Sequence, residues 1–316
     1  MDKKYLKIAL KMGISLLFIG YLSSKVDFYI ISSAIRRIDL YLYLLSTLLA
    51  VISNLLVAGK YFILIKESLI SHSLLSLIKI NFITRFYALL LPSTVGREAV
   101  RWYKVTRNQE GRAFFLATII FERLTFLFVL ILLGTIPLFF YKSIPGIAAL
   151  RMQLMPWLLL ALSIIFFLIS LYFFAPMKLF FKSIACRILA PIWREVDVAL
   201  FFENFSLKNM RTPSYIYIIG LCLVWQFFFV SRLFILIKAA ALPLNFVDVA
   251  WMGSLVLVLQ TIPISYAGIG IREGAYAYLF TLFHLAPELG VLMGILFFSQ
   301  MFIMALLGGI LELIEK

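Results

Sequence analysis

Long apolar runs, broken by short polar patches, dominate the chain. They fall at Tyr5–Leu22, Leu40–Ile65, Leu74–Leu91, Ala113–Tyr141, Leu154–Phe174, Tyr215–Ile237, Phe246–Ile262, Ala275–Leu285 and Leu289–Ile314. A bilayer core about 30 Å thick is crossed by roughly 20 apolar residues in a helix. Six of the runs are read as full spans. The other three are short or broken: Leu74–Leu91 stops at Pro92, Phe246–Ile262 stops at Pro263, and Ala275–Leu285 is too short to cross alone. Two further segments are amphipathic. Phe28–Ile38 gathers Phe28, Ile31, Ala34, Ile35 and Ile38 on one side, and Lys178–Glu203 mixes large apolar residues with Lys178, Lys182, Arg187 and Arg194. Both are expected to lie in the membrane interface.

Composition agrees with this pattern. Hydrophobic residues make up 64% of the 316 positions and charged residues 14%, and no hydrophilic stretch is able to fold alone. Soluble domains run at roughly 45–50% apolar and about 25% charged. The expectation is an all-α integral membrane protein forming a single domain over residues 1–316. The net charge of +14 is then read as basic loops facing anionic headgroups, not as a nucleic-acid surface. Cys186 and Cys222, far apart, read as small buried hydrophobes. The basic start Met1–Lys4 and the apolar stretch Met12–Leu22 mimic a secretory leader, but the flank Tyr21–Lys25 has no small-x-small cleavage pattern, so an uncleaved first span is expected.

The two breaks resemble each other. Leu91–Tyr103 reads LPSTVGREAVRWY and Ile262–Tyr278 reads IPISYAGIGIREGAYAY. Each has a proline ending an apolar run, then small residues and glycine (Gly96; Gly268 and Gly270), then Arg-Glu, and each is followed by a long apolar span. The two Arg-Glu pairs, Arg97-Glu98 and Arg272-Glu273, lie more than half the chain apart. A repeat is expected, the first copy over about 40–141 and the second over about 213–316. The basic segments Arg97–Arg112 and Ala175–Thr212 belong in the cytoplasm by the positive-inside rule. With cytoplasmic termini, parity then requires two re-entrant hairpins entering from opposite sides. That is an inverted repeat of about six spans and two broken-helix hairpins. Lys25, Arg36 and Arg37 would lie outside, partly offset by Asp27 and Asp39.

Breaks at matching positions of two halves point to a transport site. Helices restarting near Gly96 and Gly270 aim their N–H groups at the gap, which favours an anion. Charges within apolar segments sharpen this, because an intramembrane charge normally pairs or serves a function. Arg97 and Arg101 share a helical face with Glu98 as a local partner. Glu122 and Arg123 sit inside the run Ala113–Tyr141, Arg85 inside the broken run Leu74–Leu91 one turn from Asn81, and Arg232 inside Tyr215–Ile237. Snorkelling toward an interface is the alternative for Arg85 and Arg232. Arg272 and Glu273 close the second break. Asn54 and Lys60 are further polar positions in the second span. The expectation is that Arg97, Arg101 and Arg272 line one cavity between the hairpins and hold a lipid phosphate. Enzyme signals are poor: His72 and His284 are the only histidines, and no phosphate-binding loop, nucleophile elbow or H-E-x-x-H motif occurs. No metal or cofactor is expected.

The chain resembles the lysylphosphatidylglycerol synthase transmembrane-region family, also described as flippase-like. The resemblance is carried by Leu91-Pro92, Gly96, Glu98 and Arg101, by the pair Glu122-Arg123, and by Pro263 with Gly268-Ile269-Gly270-Ile271-Arg272-Glu273-Gly274. The family usually has Gly-Asp where this chain has Arg97-Glu98, and Asp-Arg where it has Glu122-Arg123, so the acids keep their charge. The first break is poorer in glycine than usual. The soluble aminoacyl transferase domain of the best-known members, and the glycosyltransferase joined to others, are both missing. The resemblance implies translocation of an anionic or polyprenyl-phosphate-linked (glyco)lipid between leaflets. The alternatives are a membrane-embedded transferase using Glu98 or Glu273 as base, or an accessory subunit of the enzyme that makes the lipid.

Overall fold

The computed structural model describes residues 27–66, 70–91, 94–107, 112–140, 145–173, 212–261, 265 and 267–315. The expected first span Tyr5–Leu22, the interfacial segment Lys178–Glu203, Cys186 and both break prolines, Pro92 and Pro263, lie outside the described residues. Within them every regular element is a helix: α1 (Phe28–Arg36), α2 (Leu40–Ile65), α3 (Leu74–Leu90), α4 (Thr94–Thr106), α5 (Arg112–Phe140), α6 (Pro145–Phe173), α7 (Thr212–Ala239), α8 (Phe246–Thr261), α9 (Ile271–Thr281) and α10 (Pro287–Glu315). Five of these contain stretches long and apolar enough to cross a membrane: Leu40–Ile65, Phe114–Leu138, Ala148–Ile169, Ile216–Ala239 and Pro287–Glu315. The chain is an all-α, multi-pass membrane protein.

Local chemistry fixes where the helices start. Asp27 Oδ1 accepts from the Tyr29 amide at 2.8 Å, Asp39 Oδ1 from Leu42 at 3.0 Å, and Ser73 Oγ from Ser76 at 3.2 Å, each satisfying an orphan donor of a first turn. At α8, Asn245 and Asp248 exchange backbone-to-side-chain bonds of 2.8 and 2.9 Å in a reciprocal cap. Two helices are offset from the apolar runs that predict them. Helix α9 begins ahead of the run Ala275–Leu285 and ends before it does, because Arg272 and Glu273 join its first turn. Helix α6 starts at Pro145, well before Leu154, with proline at a first-turn position it tolerates.

The short helices pair as α3 with α4 and α8 with α9. Helix α2 packs along α7, α3 along α10, and α8 along α5. These packings come in matched sets. Exchanging α2 with α7, α3 with α8, α4 with α9 and α5 with α10 turns α2·α3 into α7·α8, α3·α10 into α8·α5, and α4·α5 into α9·α10, and all of these occur. Spacing follows the same rule. Helices α5 and α10 are each 29 residues long. Their starts, Arg112 and Pro287, are separated by the same stretch of chain as Arg97 and Arg272, and so are the ends of α4 and α9, Thr106 and Thr281.

Glycines sit at the tightest crossings. A Cβ on Gly134 of α5 would meet the Ser254 Cβ of α8 at 2.8 Å, and one on Gly309 of α10 would meet the Phe86 ring of α3 at 3.1 Å. These two glycines are again equivalent at the spacing that relates the Arg-Glu pairs. In the membrane, helices associate through such close backbone approach and not through the hydrophobic effect. Helix α6 packs on α5 but leaves Met152, Trp157 and Phe166 exposed to the surroundings.

Gly308 is the most crowded crossing, where an added Cβ would stand 2.0 Å from the Phe82 carbonyl oxygen, whereas a Cβ on Gly59 would meet nothing within 4 Å. Gly308→Val should therefore destabilise the fold by at least roughly 1–3 kcal/mol, the usual overpacking range. Gly59→Ala should leave it unchanged or raise it by up to about 1 kcal/mol. Thermal unfolding in detergent tests both, and equal effects would refute the crossing as a packing determinant.

Candidate functional site

Helices α2, α3, α4, α5, α7, α8 and α10 surround a cavity of about 170 Å³. At about 30 Å³ per water, that is room for several waters or a phosphate group. Its wall is partly greasy, with Phe126, Trp225, Phe229, Phe297, Met301 and Met304, and strongly cationic. Lys60, Arg85, Arg97, Arg101, Arg123 and Arg232 line it, and Glu122 is the one acid among the lining residues.

The charges on the first-half side form one network. Glu98 accepts from Arg97 Nε at 3.1 Å and makes close ion pairs with Arg101 and Arg123. Arg101 also donates to the Tyr61 hydroxyl at 2.9 Å and to Asn81 Oδ1 at 2.7 Å, and lies 4.5 Å from the Tyr61 ring centroid. Asn81 in turn donates to the backbone and side chain of Asn54, at 2.7 and 2.9 Å. Glu122 makes a close ion pair with Lys60, which is only 1% exposed, and accepts from Tyr61 at 3.3 Å. This satisfies the rule that charges in a low-dielectric interior persist only when paired and hydrogen-bonded. It also ties four helices, α2 to α5, to one another.

The second-half side is built differently. Arg232 of α7 lies over the Phe297 ring at 4.3 Å and near Phe229 at 5.8 Å, and its Nε and Nη2 have no hydrogen-bond partner among the described residues. Back on the first-half side, Arg85 of α3 donates Nε to Asn54 Oδ1 of α2 at 3.0 Å. Among the described residues neither arginine has a carboxylate partner. Gln260, Thr261 and Gln300 are the neutral polar groups nearby on the wall.

The residues singled out in the sequence separate into two groups. Arg85, Arg97, Arg101, Glu122, Arg123 and Arg232 all line the cavity, with Glu98 directly behind. Arg272 and Glu273 do not line it. Arg272 is 1% exposed, forms a close ion pair with Glu273, and is enclosed by the Phe297 and Phe298 rings at 5.6 and 5.3 Å. Glu273 also accepts from the Gly270 amide at 2.7 Å, capping α9. Gly268 and Gly270 have φ of +76° and +87°, a region glycine enters without strain, so they shape the turn into α9. Gly96 sits against the Leu91 side chain, within 2.9 Å of an added Cβ.

Sequence reading underrated Lys60 and missed Tyr61, Asn81, Gln260 and Gln300. Lys60 carried a usable signal, since a lysine inside a 26-residue apolar helix demands an acid, and Glu122 lies within another span. Among the described residues no group of His, Cys, Asp and Glu is arranged to hold a metal ion.

The family described as the lysylphosphatidylglycerol synthase TM region matches residues 8–309. No curated protein and no solved structure matches the chain.

The Lys60–Glu122 pair lends itself to a double-mutant test. Breaking a buried pair from one side typically costs about 3–5 kcal/mol, whereas replacing both partners with apolar groups is often neutral. Lys60→Met and Glu122→Leu should each lower stability by that order, and the double variant should recover most of it. Thermal unfolding in detergent reads this directly, and additive losses in the double variant would show that the two side chains do not act as a pair.

Proposed function

Because the chain belongs to the lysylphosphatidylglycerol synthase TM region family, a family of membrane proteins that handle or modify lipids, we propose that it carries an anionic or polyprenyl-phosphate-linked (glyco)lipid between the leaflets of the cell membrane. The headgroup phosphate passes through the cavity and the acyl or prenyl tails stay in the bilayer. The observation that carries this reading is the charge of the wall. Six cationic side chains face a small, partly aromatic space against Glu98 and Glu122. Guanidinium groups bind phosphate oxygens through parallel N–H bonds and keep their charge at any working pH. In a water-poor site such contacts are screened weakly by salt.

The matched helix spacing and packing support an inverted repeat, with copies over about 40–141 and 213–316. Among the described residues three long helices, α2, α5 and α6, precede α7, so α7 runs opposite to α2 if each crosses once, the hairpins return to their own side and residues 174–211 add no crossing. Two copies of opposite direction around one central cavity give alternating access by rocking one copy against the other. A transferase mechanism finds less support. The Glu98 lone pairs are committed to three arginines, and those of Glu273 to Arg272 and the Gly270 amide.

Two experiments test the proposal. In proteoliposomes, the appearance of a headgroup-labelled anionic lipid in the opposite leaflet should require the protein. Arg101→Lys should slow it by roughly 10–100-fold, matching the loss of about 1.5–3 kcal/mol for a charge-assisted hydrogen bond, because the planar fork is lost while the charge remains. Transport at the parent rate would make Arg101 structural. For orientation, single cysteines at Arg107 and Lys208 should label from the cytoplasm alone, and one at Glu288 from the outside alone. Cytoplasmic labelling at 288 would exclude the inverted arrangement.

A further inference from the structure

The two sides of the cavity are not electrically equivalent. On the first-half side, Arg97, Arg101 and Arg123 share the Glu98 carboxylate, and Lys60 is matched by Glu122. Arg85, also on that side, is held by Asn54 and through it joins the same network by way of Asn81 and Arg101. On the other side, Arg232 has no carboxylate partner among the described residues. It comes from the second set of helices, yet it lines the same space as the first-half cations. The ring of Phe297 lies 4.3 Å from the Arg232 guanidinium carbon. An aromatic ring placed so leaves the N–H edge of the guanidinium as its hydrogen-bonding side. Among the described residues nothing fills that role: Arg232 Nε and Nη2 have no acceptor there.

Counting charge makes the point sharper. Among the described residues, six cations and two carboxylates leave the site with four uncompensated positive charges in an apolar, aromatic surround. A phosphodiester, with one negative charge, would offset one of the four and, held by the first cluster, leave Arg232 bare.

We infer that the cavity is built for a lipid phosphate carrying at least two negative charges, a phosphomonoester or a diphosphate, with Arg232 as its second anion-binding centre. The inference rests on the lipid-carrier reading and deepens it. The first centre, Arg97, Arg101 and Arg123, takes any phosphate. The second centre supplies the discrimination between a monoester or diphosphate and a diester. Gln260 and Gln300 supply neutral polar groups to the same wall.

The test compares two lipids with the same acyl chains, phosphatidylglycerol as the diester and phosphatidic acid as the monoester, titrated into the purified full chain in uncharged detergent at pH 8. There the monoester is dianionic, its second pKa being about 6. Trp225 lines the cavity and its fluorescence reports occupancy. The monoester should bind at least about tenfold more tightly, corresponding to about 1.4 kcal/mol. Arg232→Gln should cut that preference to below about threefold, or roughly 0.65 kcal/mol, with monoester affinity falling further than diester affinity. Where Arg232→Gln fails to fold by circular dichroism, Arg232→Lys keeps the charge without the fork, and its preference should fall below that of the parent. Equal affinity of the parent for the two lipids would overturn the inference, as would a parallel loss of both lipids in the variants or no binding of either. Displacement of the monoester by inorganic phosphate at matched ionic strength would assign the site to free phosphate and overturn the lipid assignment; persistence of the bound monoester supports it. Transport measured in parallel separates the two claims. Transport without a monoester preference sinks this inference alone, and preference without transport sinks the carrier reading alone.

Discussion

The first-half side of the cavity depends on one buried carboxylate. Glu98 holds Arg97 and Arg101 from its own helix and Arg123 from α5. Without it three guanidinium groups would repel one another in a small, partly apolar space. With it they converge on the cavity. The carboxylate does not neutralise them fully, and on the proposed carrier reading that remainder is what a lipid anion would meet. A second buried pair, Lys60 with Glu122, locks α2 to α5 beside it and contributes no net charge.

The two helix sets share a scaffold and differ in chemistry. At the spacing that relates the sets, Arg97-Glu98 corresponds to Arg272-Glu273, whereas Arg101 corresponds to Tyr276, Glu122 to Phe297 and Arg123 to Phe298. Where the first set adds further arginines and an acid, the second set closes aromatic rings over its own Arg-Glu pair. The same dipeptide thus becomes a cavity wall in one half and a sealed helix cap in the other. The second half returns a cation to the cavity from elsewhere, through Arg232 on α7.

Much of this was legible in the sequence because the bilayer imposes strict rules. Apolar run lengths located the long helices, and proline and glycine located the two breaks. Intramembrane charge picked out Arg85, Arg97, Arg101, Glu122, Arg123 and Arg232, all of which line the cavity. Equating the two Arg-Glu pairs placed Arg272 in the cavity by symmetry. Symmetry of backbone does not carry symmetry of exposure, which Phe297 and Phe298 decide from a different helix. Lys60 was underrated for a related reason. Its partner is 62 residues away, and only helix packing reveals which acid a lone lysine meets. Tyr61 and Asn81 left no signal, since a tyrosine or asparagine in an apolar helix has many ordinary uses.

The central claim is that the arginine-lined cavity holds an anionic lipid headgroup. Native mass spectrometry of the protein extracted gently from membranes tests it most directly. The account predicts an acidic phospholipid or polyprenyl phosphate retained at about one per chain, and its loss in folded Arg101→Ala protein. Retention of zwitterionic lipid alone, or the same acidic lipid bound equally to Arg101→Ala, would contradict it.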